Sequence, residues 1–194
     1  MNIHNTIIAM NPENIPKQEN FLKEILKFTV IAIAIIIPVR TYIAQPFIVS
    51  GASMDPTFIS GQYLIVDQLT YHLNNPRRGD VIILKNPLNP SIYFIKRVIG
   101  LPNETLIMNT GKVTIKNSDF PDGFQLDEKY ITRNHRTSDT FEIKLSSTEY
   151  FVMGDNRPES SDSRSWGPLD EKFIVGRPVL RLFPFSKASI FPGI

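Results

Sequence analysis

The chain of 194 residues contains no cysteine. Disulfides, zinc–thiolate sites and cysteine nucleophiles are therefore excluded outright. Histidine is scarce as well: His4, His72 and His135 are scattered and show no metal-ligand spacing, so a histidine-based zinc site is not expected. No charge dominates, since 21 Lys and Arg stand against 19 Asp and Glu for a formal net charge of +2. Basic clusters never exceed two or three residues, which argues against a nucleic-acid partner. Two serine-enzyme signatures are also missing, the Gly-x-Ser-x-Gly elbow and the Ser-x-x-Lys motif. What the chain does have is 42% hydrophobic residues, enough to bury the core of one domain, or of one domain with an appendage.

The apolar content is concentrated near the N-terminus. Residues 28–39 read FTVIAIAIIIPV without a charge, and extending to Ile48 adds only Arg40 and Gln45 as strongly polar residues. The uncharged core is shorter than the roughly 20 apolar residues of a bilayer span. A buried core helix and a signal-peptide h-region are the alternatives. Residues 1–27 are largely polar and no A-x-A-like site follows closely, which disfavours a signal peptide. The run is apolar all round, which disfavours a core helix, and Arg40 can carry its charge to an interface. The expectation is one membrane anchor over residues 24–44, behind a cytoplasmic segment of residues 1–23. Lys17, Lys23 and Lys27 precede it, and no Lys or Arg appears between Arg40 and Arg77. This asymmetry predicts that residues 45–194 form a domain on the outer side.

Beyond the anchor the pattern changes to short apolar or alternating runs, at residues 63–66, 81–84, 92–99, 104–108, 112–116, 140–145, 150–153 and 179–183. Gly, Pro and Asn clusters separate them, as at residues 75–79, 109–111 and 121–123. This predicts a mainly β domain of antiparallel sheets. ETLIM and KVTIK, on either side of Asn109-Thr110-Gly111, read as a hairpin. Residues 117–139 are polar and weakly patterned, and read as an insertion or a less ordered flap.

Two segments carry candidate chemistry. In the strand at residues 92–99, alternation puts Lys96 on one face with Phe94 and Val98, while Arg97 points the other way. Lysine on an apolar face is unusual. An edge strand whose lysine blocks aggregation would explain it. A functional reading explains it too, because burial lowers an amine's pKa towards the range where it acts as a general base. A neutral Lys96 could then activate a serine, and the small-residue turn Ser50-Gly51-Ala52-Ser53-Met54-Asp55-Pro56 supplies one. Residues 153–167, MGDNRPESSDSRSWG, interleave Asp155, Arg157, Asp162 and Arg164 and hold the only tryptophan. A solvated loop is the plain alternative, but opposite charges in this order suit a long loop pinned by ion pairs.

Together these segments resemble bacterial type I signal peptidases, over about residues 25–185. The matching motifs are Gln45-Pro46-Phe47 leading into Ser53-Met54-Asp55-Pro56-Thr57, then Arg78-Gly79-Asp80-Val81. Tyr93-Phe94-Ile95-Lys96-Arg97-Val98 follows, and then Gly154-Asp155-Asn156-Arg157 through Ser163-Arg164-Ser165-Trp166-Gly167. The resemblance implies a membrane-bound serine endopeptidase that removes signal peptides from exported preproteins after small residues, Ala-x-Ala in type, through an acyl-enzyme. It implies Ser53 as nucleophile, Lys96 as general base and Ser160 as a helper of the lysine. Met54 follows the nucleophile, its backbone lining the substrate groove. Arg97, Asp155 and Arg157 belong to an ion-pair scaffold, with Asp162 and Arg164 a further pair. It further implies a smaller β-region inserted at about residues 104–148. No cofactor or metal is implied. The partners are preproteins and the lipid bilayer, with a monomer as the simplest state, in a bacterial cytoplasmic or a thylakoid membrane.

The chain departs from the family pattern in two places. Gly51 stands where some members carry a serine whose hydroxyl completes the oxyanion hole, so backbone N–H groups, or Ser50, must serve. Pro158-Glu159 stands where Asp-Asn is common. Two rivals remain. A self-cleaving repressor of the SOS type shares the dyad but needs a DNA-binding helix-turn-helix, and a tethered β-domain could bind partners without chemistry.

Overall fold

The computed structural model describes residues 21–38, 40, 44–132, 135 and 137–193. The chain divides into two units, residues 1–38 and 39–194. In the first, helix α1 runs over Phe21–Pro38. Lys23, Glu24 and Lys27 occupy its first two turns, and no described helix is long and apolar enough to cross a membrane. The expected anchor of residues 24–44 also includes Val39 and residues 41–43, which lie outside the described residues, and Ala44 already belongs to a strand.

The second unit is mainly β, and every described strand pair is antiparallel. Its strands are β1 (Ala44–Ile48), β2 (Tyr63–Asp67), β3 (Val81–Asn86), β4 (Asn89–Gly100), β5 (Thr105–Asn109) and β6 (Lys112–Lys116). They continue as β7 (Phe124–Gln125), β8 (Phe141–Lys144), β9 (Glu149–Met153), β10 (Leu169–Asp170), β11 (Ile174–Phe183) and β12 (Ser189–Ile190). One eight-stranded sheet has the order β1-β2-β11-β3-β4-β9-β10, with β12 on β11, and a four-stranded sheet has the order β7-β6-β5-β8. The short helices α2 (Thr70–Leu73) and α3 (Ser163–Trp166) lie in connections.

Alternation explains the smaller sheet. Leu106, Met108, Val113 and Ile115 are buried, while their neighbours in β5 and β6 are half-buried or exposed. The turn between them places Thr110 at φ 47° and Gly111 at φ 76°, the two left-handed residues of a type I′ hairpin. The buried face joins Ile99 of β4 and Phe151 and Met153 of β9 in one cluster with Leu145. The two sheets therefore share a core. A second cluster, built on Ile82, Leu84, Val98, Tyr150, Val152 and Leu169, fills the main sheet.

Four short strands escaped the sequence reading. β1 carries Pro46 and directly follows the apolar run, so no strand pattern marks it, while β7, β10 and β12 have two residues each, too few for any periodicity. The segment of residues 117–139 is also more than a flap. It contains β7, and Glu128 and Ile131 are buried.

Phe151→Ala is expected to cost about 3–5 kcal/mol. Because that ring packs in the core shared by both sheets, urea unfolding followed by Trp166 fluorescence and by far-UV circular dichroism should shift together as one transition.

Candidate active site

Val49 donates its N–H to Gln62 O at 2.9 Å and Gly61 donates to Val49 O at 2.9 Å, continuing the β1–β2 ladder into the connecting loop. Past this point the chain coils through tight turns, with Asp55 N–H on Ala52 O and Phe58 N–H on Met54 O. Met54 and Phe58 are buried and pack with Val49, Leu64 and Val81. These two side chains anchor the loop from below, and half-buried Ser53 sits above them. Gly51 adopts φ 95°, with open space where a Cβ would stand. A serine would fit there sterically but would strain the backbone.

The loop is held from its other side by the chain that follows β9. Asn156 donates its N–H to Ser53 O at 3.0 Å and its side-chain Nδ2 to Ala52 O at 3.1 Å. Gly154 lies so close that an added Cβ would meet the Ser53 carbonyl oxygen and the Ser160 side chain. Thr57 Oγ1 donates to Asp155 Oδ2 at 2.5 Å. The nucleophile candidate is thus fixed through its backbone carbonyl, which leaves its hydroxyl free to point elsewhere.

That hydroxyl meets Lys96. The Lys96 Nζ lies 2.8 Å from Ser53 Oγ, across 43 residues of sequence. Lys96 is 3% exposed and has no carboxylate within salt-bridge distance among the described residues. Its Nζ stands 5.1 Å from the centre of the Phe94 ring. Burial pushes the amine down from its ordinary 10.5 to about 8, against the upward pull of the Asp162 and Asp155 carboxylates and with Arg164 opposing them.

Arg97, the next residue, lives in the opposite environment. Its Nε and Nη2 donate to the two oxygens of Asp155 at 2.8 and 2.7 Å, and its Nη1 donates to Gly79 O and Gly193 O at 2.8 Å each. This bidentate pair is almost wholly buried, which is tolerable because four Arg97 N–H groups and both Asp155 oxygens are hydrogen-bonded. Asp162 accepts from Gly154 N–H at 3.0 Å, caps α3 through Arg164 N–H, and pairs with Arg164 Nε at 2.8 Å. Arg164 also reaches Asp139 at 2.9 Å. Arg157 pairs with Glu128 and donates from Nε to Gly154 O at 3.1 Å.

The residues singled out from the sequence therefore converge, with three differences. Arg157 takes its counter-charge from Glu128 of the inserted region and not from an aspartate of its own loop. Ser160 lies against Gly154, but its buried hydroxyl has no hydrogen-bond partner among the described residues, Lys96 included. Met54 contributes its side chain to the core, and it is Ser50 that lines the cleft beside Ser53. Sequence reasoning passed over Thr57, Asn156, Glu128 and Tyr130. Thr57 and Asn156 lay inside quoted motifs, whereas Glu128 and Tyr130 lie where no periodicity marks them.

A cleft of about 110 Å³ opens at the pair. Phe47, Ile48, Val49 and Ser50 form one wall, Tyr93, Phe94, Ile95 and Lys96 the other, and Ser53 closes one side. The main sheet curls enough to bring the Phe47 and Tyr93 rings edge to face, with centroids 5.2 Å apart. Among the described residues, β1 pairs only with β2, and β4 pairs with β9 only from Arg97 onward. Both walls therefore present unpaired strand edges.

Comparison with known proteins agrees with this geometry. The family described as "Signal peptidase, peptidase S26" matches residues 22–183. The probable signal peptidase I-1 of Synechocystis sp. is 34% identical over 92% of this chain and 91% of its own length. The signal peptidase I P of Bacillus subtilis subsp. natto is 35% identical over 91% of this chain and 97% of its own. The signal peptidase I of Leptolyngbya laminosa is 35% identical over 89% and 85% respectively. A half-buried serine against a buried lysine on an antiparallel β-scaffold, together with these matches, makes the chain a member of the S26 signal peptidase family.

The lowered pKa of Lys96 has a stability consequence. Its folded value lies below its unfolded one, so burial of the ammonium costs stability below pH 8, and the cost fades as pH rises towards 10.5. A gap of this size is worth roughly 3 kcal/mol. Lys96→Met is therefore expected to raise the melting temperature at neutral pH, with a gain that shrinks above about pH 8. Thermal unfolding of both proteins across that range measures it.

Proposed function

We propose that this chain is a membrane-tethered serine endopeptidase that cleaves signal peptides from exported preproteins, with Ser53 as nucleophile and Lys96 as general base. The observation that carries the reading is the 2.8 Å approach of Lys96 Nζ to Ser53 Oγ, by an amine without a carboxylate partner among the described residues. With its pKa near 8, a useful fraction of Lys96 is neutral at physiological pH and can accept a proton.

In the proposed cycle, Lys96 takes the Ser53 hydroxyl proton as Oγ attacks the scissile carbonyl. The oxyanion forms near the Ser53 backbone N–H, which donates to no other group among the described residues. Such a donor contributes about 3 kcal/mol to the transition state, and with Gly51 in place of a serine no hydroxyl adds to it from that position. Lys96 then passes its proton to the departing amine, leaving an acyl-enzyme on Ser53. A water that gives its proton to Lys96 attacks the ester, and Ser53 recovers the proton as the acid leaves. The substrate binds extended between β1 and the first half of β4, completing the free edges. A cleft of about 110 Å³ is far below the 300 Å³ or so of drug-sized sites, which suits alanine-sized side chains.

Tethering is supported by α1. Its Phe21, Leu22, Leu26, Phe28, Ile35, Ile36 and Ile37 side chains are all more than half exposed, and in lipid that exposure would carry no penalty. The reading sets residues 1–23 on the cytoplasmic side, an anchor over 24–44, and residues 45–194 on the outer face of a bacterial cytoplasmic or a thylakoid membrane.

The test incubates the detergent-solubilised full chain with a preprotein carrying an Ala-x-Ala site. Ser53→Ala and Lys96→Ala should each lower kcat/KM by about 10³-fold or more, and kcat/KM of the parent should rise as pH climbs through about 8. Cleavage by either variant at the parent's rate would sink the dyad. No cleavage by the parent would leave a binding module.

A further inference from the structure

The inserted sheet stands in sequence between β4, which carries Lys96 and Arg97, and β9, which leads into the segment that grips Ser53. The return from β7 to β8 does more than close a loop. Glu128, 5% exposed, pairs there with Arg157, and both side chains are 2% exposed. The Tyr130 hydroxyl donates to Glu128 Oε1 at 3.1 Å, and the Arg97 guanidinium carbon lies 4.1 Å from the centre of the Tyr130 ring. Burial and the neighbouring Glu128 carboxylate raise the Tyr130 pKa, which keeps its hydroxyl a donor. One stretch of three residues thus supplies the counter-charge of Arg157 and the platform of Arg97.

Stability alone does not call for this arrangement. A buried ion pair can usually be replaced by apolar residues of like volume at little loss. What the pair adds is direction. Glu128 fixes the Arg157 guanidinium, whose Nε holds the Gly154 carbonyl at 3.1 Å. Between Gly154 and Arg157 lies Asn156, whose N–H and side chain hold the Ser53 and Ala52 carbonyls. Arg157 O in turn accepts from Arg164 Nη2 at 2.5 Å, so both ends of this short clamp are fixed.

We propose that Glu128, backed by Tyr130, is a positioning residue for the peptidase reaction: it holds Arg157, and through Arg157 the backbone of residues 154–156, against the Ser53 turn. This rests on the Ser53–Lys96 reading. It makes the inserted region part of the catalytic machinery even though it supplies no reacting group.

The experiment measures kcat and KM of the full chain in detergent for the parent, Glu128→Gln, Tyr130→Phe, Arg157→Gln and the double variant Glu128→Gln/Arg157→Gln. Rates are normalised to the serine that reacts with a serine-acylating probe, so misfolded molecules do not count. Glu128→Gln keeps shape and removes charge, and is expected to lower kcat about 10- to 100-fold, the range a displacement of about 1 Å produces, with KM within about twofold. Tyr130→Phe, which loses one hydroxyl and keeps the ring under Arg97, should lose less, and the double variant should be no worse than its poorer parent. A kcat per reactive serine equal to the parent's in both Glu128→Gln and Tyr130→Phe, whatever their melting temperatures, overturns the proposal. So do additive losses in the double variant. Retained activity in Ser53→Ala would be a different failure, that of the dyad itself.

Discussion

The site depends on the two-residue period of a β-strand at consecutive positions of β4. Lys96 and Arg97 carry the same formal charge, yet alternation sends one into apolar packing beside Phe94 and the other into a forked ion pair with Asp155. Each cation needs the other's placement. Because Arg97 occupies both oxygens of Asp155, that carboxylate is not available to embrace Lys96 and hold it protonated. Arg164 engages Asp162 in the same way. The two acids remain close enough to moderate the desolvation of Lys96 but are already committed to guanidinium partners. A rigid, permanently charged residue thereby protects the titratable one from neutralisation by its surroundings.

A second constraint concerns the serine. Its turn is gripped at backbone carbonyls by Asn156 and crowded by Gly154, both contributed by the far end of the fold. The loop that precedes β2 and the loop that follows β9 meet only because β4 lies beside β9 in the main sheet. The shared core of the two sheets carries this meeting further, since Ile99, Phe151 and Met153 pack with the buried face of β5 and β6. Movement of the smaller sheet would be felt by the residues that flank both halves of the pair.

Much of this was legible from the residues. Period-two patterning located the longer strands, and the lysine among apolar neighbours in β4 marked itself as unusual before any partner was known. The hairpin at Asn109-Thr110-Gly111 followed from turn chemistry alone. What stayed hidden has a common cause: interactions between segments distant in sequence and unmarked by periodicity. β1 was obscured by Pro46 and by the apolar run before it. Glu128 and Tyr130 sit in a stretch that reads as solvated because its buried residues are polar and paired, and only the position of Arg157 in space reveals why. The charges in residues 153–167 suggested ion pairs within that loop, and Asp162–Arg164 is one. For Arg157 the partner came from elsewhere, which charge order along a single loop cannot indicate.

The open edges of β1 and β4 carry one more consequence. An edge left unpaired so that a peptide can join it is equally available to another copy of the same protein, and such edges are where β-proteins stick together. Pro46 in the middle of β1 removes one donor from that strand. The edge is then a poor template for a long, regular partner and a fair one for a short segment seated beyond the proline, at Phe47 and Ile48. The same residue that made β1 hard to recognise leaves that edge one hydrogen bond short for any extended chain that meets it, another copy included.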